Sequence, residues 1–317
     1  MKSITRNPAI EVCLSLGATC MILLTQQTAR AQTVVTPIPS ARPSVSASVV
    51  RPTWLPPDVD EEVQVVEAAT ACPLDEVVQK AEKRVLEFVQ DVDRFTATES
   101  LTHESINKHG IASAPKKREF NYVVSIQEVR QGHLGVTEYR NSGGAQTQFP
   151  SGIVTNGLPE LVLILHPYYA PNFEMTCEGL ARLDGRLAWQ VHFRQRPDKP
   201  NELKTYQFGI NGPSYPVGLK GRAWISADSY QIVRMETDLV APMPEIQLLA
   251  EHTAIEYGPV KFRESTVNLW LPKSAEVYLA WRGRQIHRIH SFDKYMLFTV
   301  DDKQRIVAPR VENGPKS

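Results

Sequence analysis

Histidine, carboxylate and serine positions are the first places where this sequence could do chemistry, and their spacing argues against catalysis. His103 and His109 lie near Glu104, but not as H-E-x-x-H, the pattern that sets two imidazoles on one helix face over a metal. His287 and His290 are three apart in an alternating run, so they point to opposite faces of a strand. Each of these reads as a hydrogen-bonded or surface histidine rather than a metal ligand. Ser151-Gly152 is not set in a G-x-S-x-G elbow, and no Walker or dinucleotide glycine pattern occurs. Asp184, Glu236 and Glu256 are scattered, whereas paired acid–base work needs carboxylates converging in a cleft. The expectation is a chain with no catalytic residues, no metal and no cofactor. A hydrolase built from dispersed carboxylates and histidines ranks third among three readings.

Arg234, Glu236 and Asp238 share the wet face of one expected strand, and Arg282, Arg284 and Arg288 cluster nearby in sequence. Such rows read first as ordinary strand polarity. They could also dock an anionic head group or a partner. Of four cysteines, Cys13 and Cys20 lie in the N-terminal leader, and Cys72 and Cys177 remain as an even pair. In an oxidising compartment they read as a disulfide, the other reading being two separate buried thiols. A loop of about 100 residues closed this way is worth up to about 4–5 kcal/mol in the chain-entropy picture.

The leader sets the compartment. Lys2 and Arg6 form a basic start, Val12 to Leu24 is mostly apolar, and Ala29-Arg30-Ala31 precedes Gln32 as an A-x-A-like cleavage site. Residues 1–31 therefore read as a cleavable secretory signal peptide. Acylation of Cys20 is the alternative, against which Thr19 before it and the apolar Met21-Ile22-Leu23-Leu24 after it both count. Residues 32–58 hold Pro37, Pro39, Pro43, Pro52, Pro56 and Pro57 and read as a Pro-rich disordered linker. Residues 304–317 read as a disordered tail. Charge is balanced at 35 basic and 35 acidic residues, and removing the leader leaves 32 basic and 34 acidic. That gives no electrostatic support for nucleic-acid binding. No other segment has transmembrane length and apolarity.

One β-rich domain is expected over 59–303. A short helix is possible over 59–70. The clearest helix follows, with Leu74, Val77, Val78, Ala81, Val85, Phe88, Val89 and Val92 at helical spacing behind Pro73. Then the period drops to two. Phe120/Tyr122/Val124/Ile126, Leu187/Trp189/Val191/Phe193, Val233/Met235/Thr237/Leu239, Val267/Leu269/Leu271 and Val277/Leu279/Trp281 each alternate with polar residues. Turn chemistry separates these runs, and Arg222–Leu239 reads as a hairpin around Asp228-Ser229. A second apolar helix is expected over Leu158–Leu165. The fold class is α+β: a strongly curved antiparallel sheet or unclosed β-barrel, with the amphipathic helix and the short second helix packed in its mouth.

That order resembles the periplasmic lipoprotein-carrier superfamily, the LolA/LolB-type fold, over roughly residues 72–300. The resemblance is closest in Arg222-Ala223-Trp224-Ile225, Ile232-Val233-Arg234-Met235-Glu236, Ile255-Glu256-Tyr257-Gly258-Pro259-Val260 and Leu269-Trp270-Leu271-Pro272. It implies a half-open barrel whose apolar hollow takes an acyl chain. No binding residue carries over position by position. Candidate inward residues are Tyr122, Trp189, Phe193, Trp224, Met235, Leu269 and Trp281. The leading expectation is a secreted protein of the periplasm or outer-membrane surface. It would hold a lipid, an acyl chain or a lipidated protein, with an envelope protein as a possible partner. The alternative is a non-catalytic interaction or sensor domain whose core is filled by those same side chains.

Overall fold

The computed structural model describes residues 56–61, 66–67, 71–91, 94–142, 149–208, 212–261 and 268–298. All of them fall in one unit, Val49–Ser317, while the other unit, Met1–Ser48, lies outside the described residues. The signal peptide, most of the proline-rich stretch and the C-terminal tail expected from sequence therefore lie outside the described residues as well.

One α-helix, α1 (Leu74–Asp91), precedes the strands. Val77, Ala81 and Val85 recur every four residues and are buried, with Leu74, Val78, Phe88 and Val89 packed beside them. Glu76 and Lys80 pair on the outer face at 2.6 Å. The strands are β1 (Arg94–Ile106), β2 (Lys116–Arg130), β3 (His133–Asn141), β4 (Phe173–Leu183), β5 (Arg186–Gln195), β6 (Thr205–Gln207), β7 (Ser214–Pro216), β8 (Leu219–Ser226), β9 (Ile232–Leu239), β10 (Leu248–Lys261), β11 (Asn268–Trp281) and β12 (Arg284–Phe298). Ten of them form one antiparallel sheet in the order β3-β2-β1-β12-β11-β10-β9-β8-β5-β4, and β6 pairs with β7 alone. The expected hairpin exists: β8 and β9 pair antiparallel, with Ala223 opposite Met235.

The sheet is curved, and its edge strands β3 and β4 do not pair with each other. Laid flat, ten strands at about 4.8 Å spacing would set those edges roughly 43 Å apart. Tyr169 shows otherwise. Its hydroxyl meets the backbone of Leu134 in β3 at 3.0–3.1 Å. Yet Tyr169 stands only four residues before β4 starts at Phe173, a stretch of at most about 14 Å of chain. The sheet curls until the 166–172 segment bridges its gap. One apolar core fills the concave side and runs from Tyr122 and Val124 of β2 to Val191 and Phe193 of β5.

Two helix expectations change. The segment expected as a helix over Leu158–Leu165 is a five-residue 3-10 helix, Leu161–Leu165, buried along its whole length. Pro159 and Pro167 leave no room between them for a longer helix. Over 59–70, Val59 to Glu61 form a turn and Val66 bridges Ala181 of β4, so no helix occurs at the described positions there. Val59 is fully buried; its N–H donates to Asp238 at 2.8 Å and its carbonyl accepts from Arg222 at 2.6 Å.

Cys72 and Cys177 are joined as a disulfide with Cα atoms 6.0 Å apart, within the range such bonds require. It ties the chain two residues before α1 to edge strand β4 across a separation of 105 residues.

Candidate ligand-binding site

The concave face carries two covers. Toward β9, β10 and β11 the cover is α1 together with Leu161–Leu165. Between them lies a cleft of about 30 Å³ that opens partway to solvent. Arg84, Val85 and Phe88 of α1 form one wall, Pro159 and Val162 a second. Ile232, Tyr257, Trp270 and Pro272 close the floor, with Gln231 at the rim. The helix places its three residues there because 84, 85 and 88 fall on adjacent turns of one stripe. Arg84 is held at the mouth: its Nε donates to the Ser229 carbonyl at 2.9 Å and its Nη1 to Glu87 at 2.7 Å. A drug-sized ligand needs roughly 300 Å³ or more, so the cleft is a notch in a filled core rather than an open hollow.

Toward β3, β2, β1 and β12 the cover is a strap, residues 149–160, and the face beneath it is polar. Inward positions of β1 are Phe95, Ala97, Glu99, Leu101 and His103, and those of β12 are Ile286, Arg288, His290 and Phe292; all nine are buried. Glu99 accepts from Arg140 Nε at 2.5 Å and Nη2 at 3.1 Å, and it pairs with His290 Nδ1 at 2.7 Å. Burial pushes the Glu99 carboxyl up, but the His290 hydrogen bond and the Arg140 charge outweigh it and hold it low. Glu138 accepts from the Tyr122 hydroxyl at 2.6 Å, from Arg140 at 3.2 Å and from the Gly157 N–H of the strap. Burial raises its carboxyl despite Arg140. Glu160 sits where the strap enters Leu161–Leu165; burial, with the Glu138 charge added, raises it to about 8.

Arg288 is the clasp. It is 2% exposed. It donates to Thr155 Oγ1 at 2.7 Å, to the Ile153 carbonyl at 2.7 Å, to the Pro150 carbonyl at 3.0 Å and to His103 Nδ1 at 3.2 Å. Its guanidinium and that of Arg140 both lie 5.3 Å from the Phe149 ring, which stacks on Phe120.

Ser151 brings an arrangement that resembles a nucleophile and a base. It stands in the left-handed region at φ 64°, with Oγ 3.3 Å from His103 Nε2. The tautomer decides against catalysis. Arg288 is always a donor, so His103 Nδ1 accepts and the ring proton sits on Nε2. That nitrogen has no lone pair to take the serine proton. Burial, with the charges of Arg288 and Lys116, keeps the ring neutral down to about pH 4. Among the described residues, no three or more His, Cys, Asp or Glu converge to hold a metal.

Of the seven residues expected inside the hollow, Tyr122, Phe193, Met235 and Leu269 share the buried apolar core, Trp189 and Trp281 pack against it, and Trp224 stands apart. Phe193 lies over Gly221, where a Cβ would overlap both its ring and the Glu236 carbonyl oxygen. Tyr122 belongs to the polar end. Trp189 is partly buried on β5 opposite Ile225. Trp281 lies under the β6–β7 hairpin, 5.4 Å from the Tyr206 ring, and its Nε1 donates to the Ile246 carbonyl at 2.9 Å. Trp224 faces the other way. It sits in register with Gln190 and Arg234, on the opposite face from Ala223 and Met235. There it lies between the guanidinium groups of Arg222 and Arg234, 6.0 and 5.5 Å from its ring. Strand β8 is buried on both faces, so its apolar residues give no inward phase.

None of the seven lines the cleft; the residues that do sit at strand ends and on the helix. The polar end had a legible signal: Glu99, His103, Arg288 and His290 stand in phase with apolar neighbours on their strands.

No known family matches this chain, and no curated protein does. Among solved structures, the chain is similar to a DUF1329 family protein from Desulfovibrio piger. The TM-score is 0.38 at 9% identity, covering 72% of this chain and 94% of that one. It is similar also to an outer membrane lipoprotein-sorting protein domain from Vibrio parahaemolyticus. There the TM-score is 0.36 at 8% identity, covering 70% and 94%. Likenesses this loose carry no argument, and the cleft has to be read from its own residues.

Proposed function

We propose that this is an exported, non-catalytic binding protein of the cell envelope that takes an alkyl or acyl chain in the cleft between α1 and the concave face. The observation that carries the reading is the solvent-reaching apolar notch walled by Val85, Phe88, Val162, Ile232 and Trp270. The Cys72–Cys177 bond supports export, since such bonds persist in oxidising compartments. Each methylene drawn out of water adds about 0.8 kcal/mol. The cleft at 30 Å³ is too small for a chain as it stands, so binding requires the second half of α1 to move off the sheet. Phe193, Met235 and Leu269 would then floor the enlarged hollow.

A second reading, an interaction or sensor domain with a permanently filled core, is favoured by the tight burial of those same three side chains. One experiment separates the two. The full chain, expressed with its own leader, is recovered from the periplasm and measured by native mass spectrometry, with solvent extraction in parallel. A bound acyl species, or saturable uptake of a fluorescent fatty acid, supports binding if Phe88→Glu abolishes it in a protein that still folds. A clean mass with no uptake assigns the filled-core reading.

A further inference from the structure

Tyr257 is the exception in the cleft. It stands on β10 at an irregularity where pairing shifts between Glu256 and Tyr257, resuming with Tyr257 opposite Pro272. Shifts of this kind re-aim side chains. Tyr257 is 8% exposed and lines the cleft. Its hydroxyl is buried and, among the described residues, has no hydrogen-bond partner. Buried hydroxyls without a partner are rare, since each forfeits roughly 1–3 kcal/mol of solvation. Burial alone drives the Tyr257 phenol far above its usual range, so it stays protonated and can donate.

We propose that the Tyr257 hydroxyl is the polar reader of the cleft, donating its hydrogen bond to the neutral carbonyl oxygen of an acyl group. The inference rests on the chain-binding reading and makes it specific. The site takes acyl esters, amides or protonated fatty acids, and discriminates against alkyl chains of equal length that lack a carbonyl. A neutral acceptor fits because the floor around it is Ile232, Trp270 and Pro272, and the cation that lines the mouth, Arg84, is already paired with Glu87.

The test uses two lipids that differ only at that carbonyl, 1-monomyristoylglycerol and 1-O-tetradecylglycerol. Each displaces N-phenyl-1-naphthylamine from the full-length protein. The expected result is a preference for the acyl compound of about 5- to 150-fold, the worth of one hydrogen bond to a group otherwise left unpaired. Tyr257→Phe should remove the preference while keeping affinity for the ether, and it should leave the ligand-free protein at least as stable as before. Equal affinity for both lipids in the unaltered protein overturns the Tyr257 assignment and leaves chain binding standing. Loss of stability in ligand-free Tyr257→Phe also overturns it, because the hydroxyl would then have a partner within the fold. Binding of neither lipid overturns both readings together.

Discussion

Two covers lie on one concave face, and they are fastened by opposite means. Over β9–β11, α1 and Leu161–Leu165 are held mainly by apolar contact, through Val77, Ala81, Val85 and the five buried residues of the 3-10 helix, with Arg84 and Lys80 adding bonds to Ser229 and Tyr230 at the exposed edge of α1. Over β1–β3 and β12, the 149–160 strap is fastened by directed bonds, three of them from Arg288. Apolar contact tolerates sliding and repacking. A buried guanidinium that satisfies particular carbonyls does not, because moving it strands both charge and acceptors. The same face therefore has a rigid polar end and a deformable apolar end, and the cleft lies at the deformable one.

The contrast breaks most visibly at Arg140. Arg140→Met leaves Glu99 and Glu138 buried without their cation, and urea denaturation should show a loss of about 3–5 kcal/mol. Replacing Cys72 and Cys177 together by serine should cost about 4 kcal/mol by the same measurement. Val85→Ala at the helix end should cost only about 1.5–3 kcal/mol. Unlike Arg140→Met, it should also increase fatty-acid uptake, since it widens the cleft. A stability loss at Val85 as large as that at Arg140 would erase the distinction between the ends.

Two further effects are in pH. Glu160 is raised to about 8 against an ordinary 4.5. The folded protein holds that proton more tightly, so its share of stability is full below pH 4.5 and is lost as pH rises toward 8. His103 is lowered to about 4 from 6.5. Its share is full above pH 6.5 and is lost as pH falls toward 4. Melting-temperature profiles should therefore flatten on the alkaline side in Glu160→Gln and on the acid side in His103→Asn.

What was legible in the sequence was periodicity. The stripe from Leu74 to Val89 and the alternation in β2, β5 and β9 gave the helix, the strands and one buried face, because period alone fixes which side chains share a side. It failed where both faces are buried. Trp224 read as inward because an aromatic in an alternating run is normally core, yet on β8 the other face is covered too. The cleft was hidden for a different reason. Its residues come from α1, from the approach to Leu161–Leu165 and from the ends of three strands, and only tertiary folding brings them together. The polar end was readable in part: charged residues on the apolar phase of β1 and β12 mark it, although which arginine meets which glutamate depends on how the sheet curls.

The disulfide sits at one end of α1 and the cleft at the other. From Leu74 to Phe88 the helix rises about 21 Å at 1.5 Å per residue. On the chain-binding reading, with Cys72 bolted to β4, the helix would act as a lever with a fixed fulcrum. A tilt of about 10° over that arm would lift Phe88 by roughly 4 Å, close to the separation of one layer of packed carbon atoms. The cross-link would then convert a small rotation into an opening one hydrocarbon chain wide, and keep the moving part from leaving.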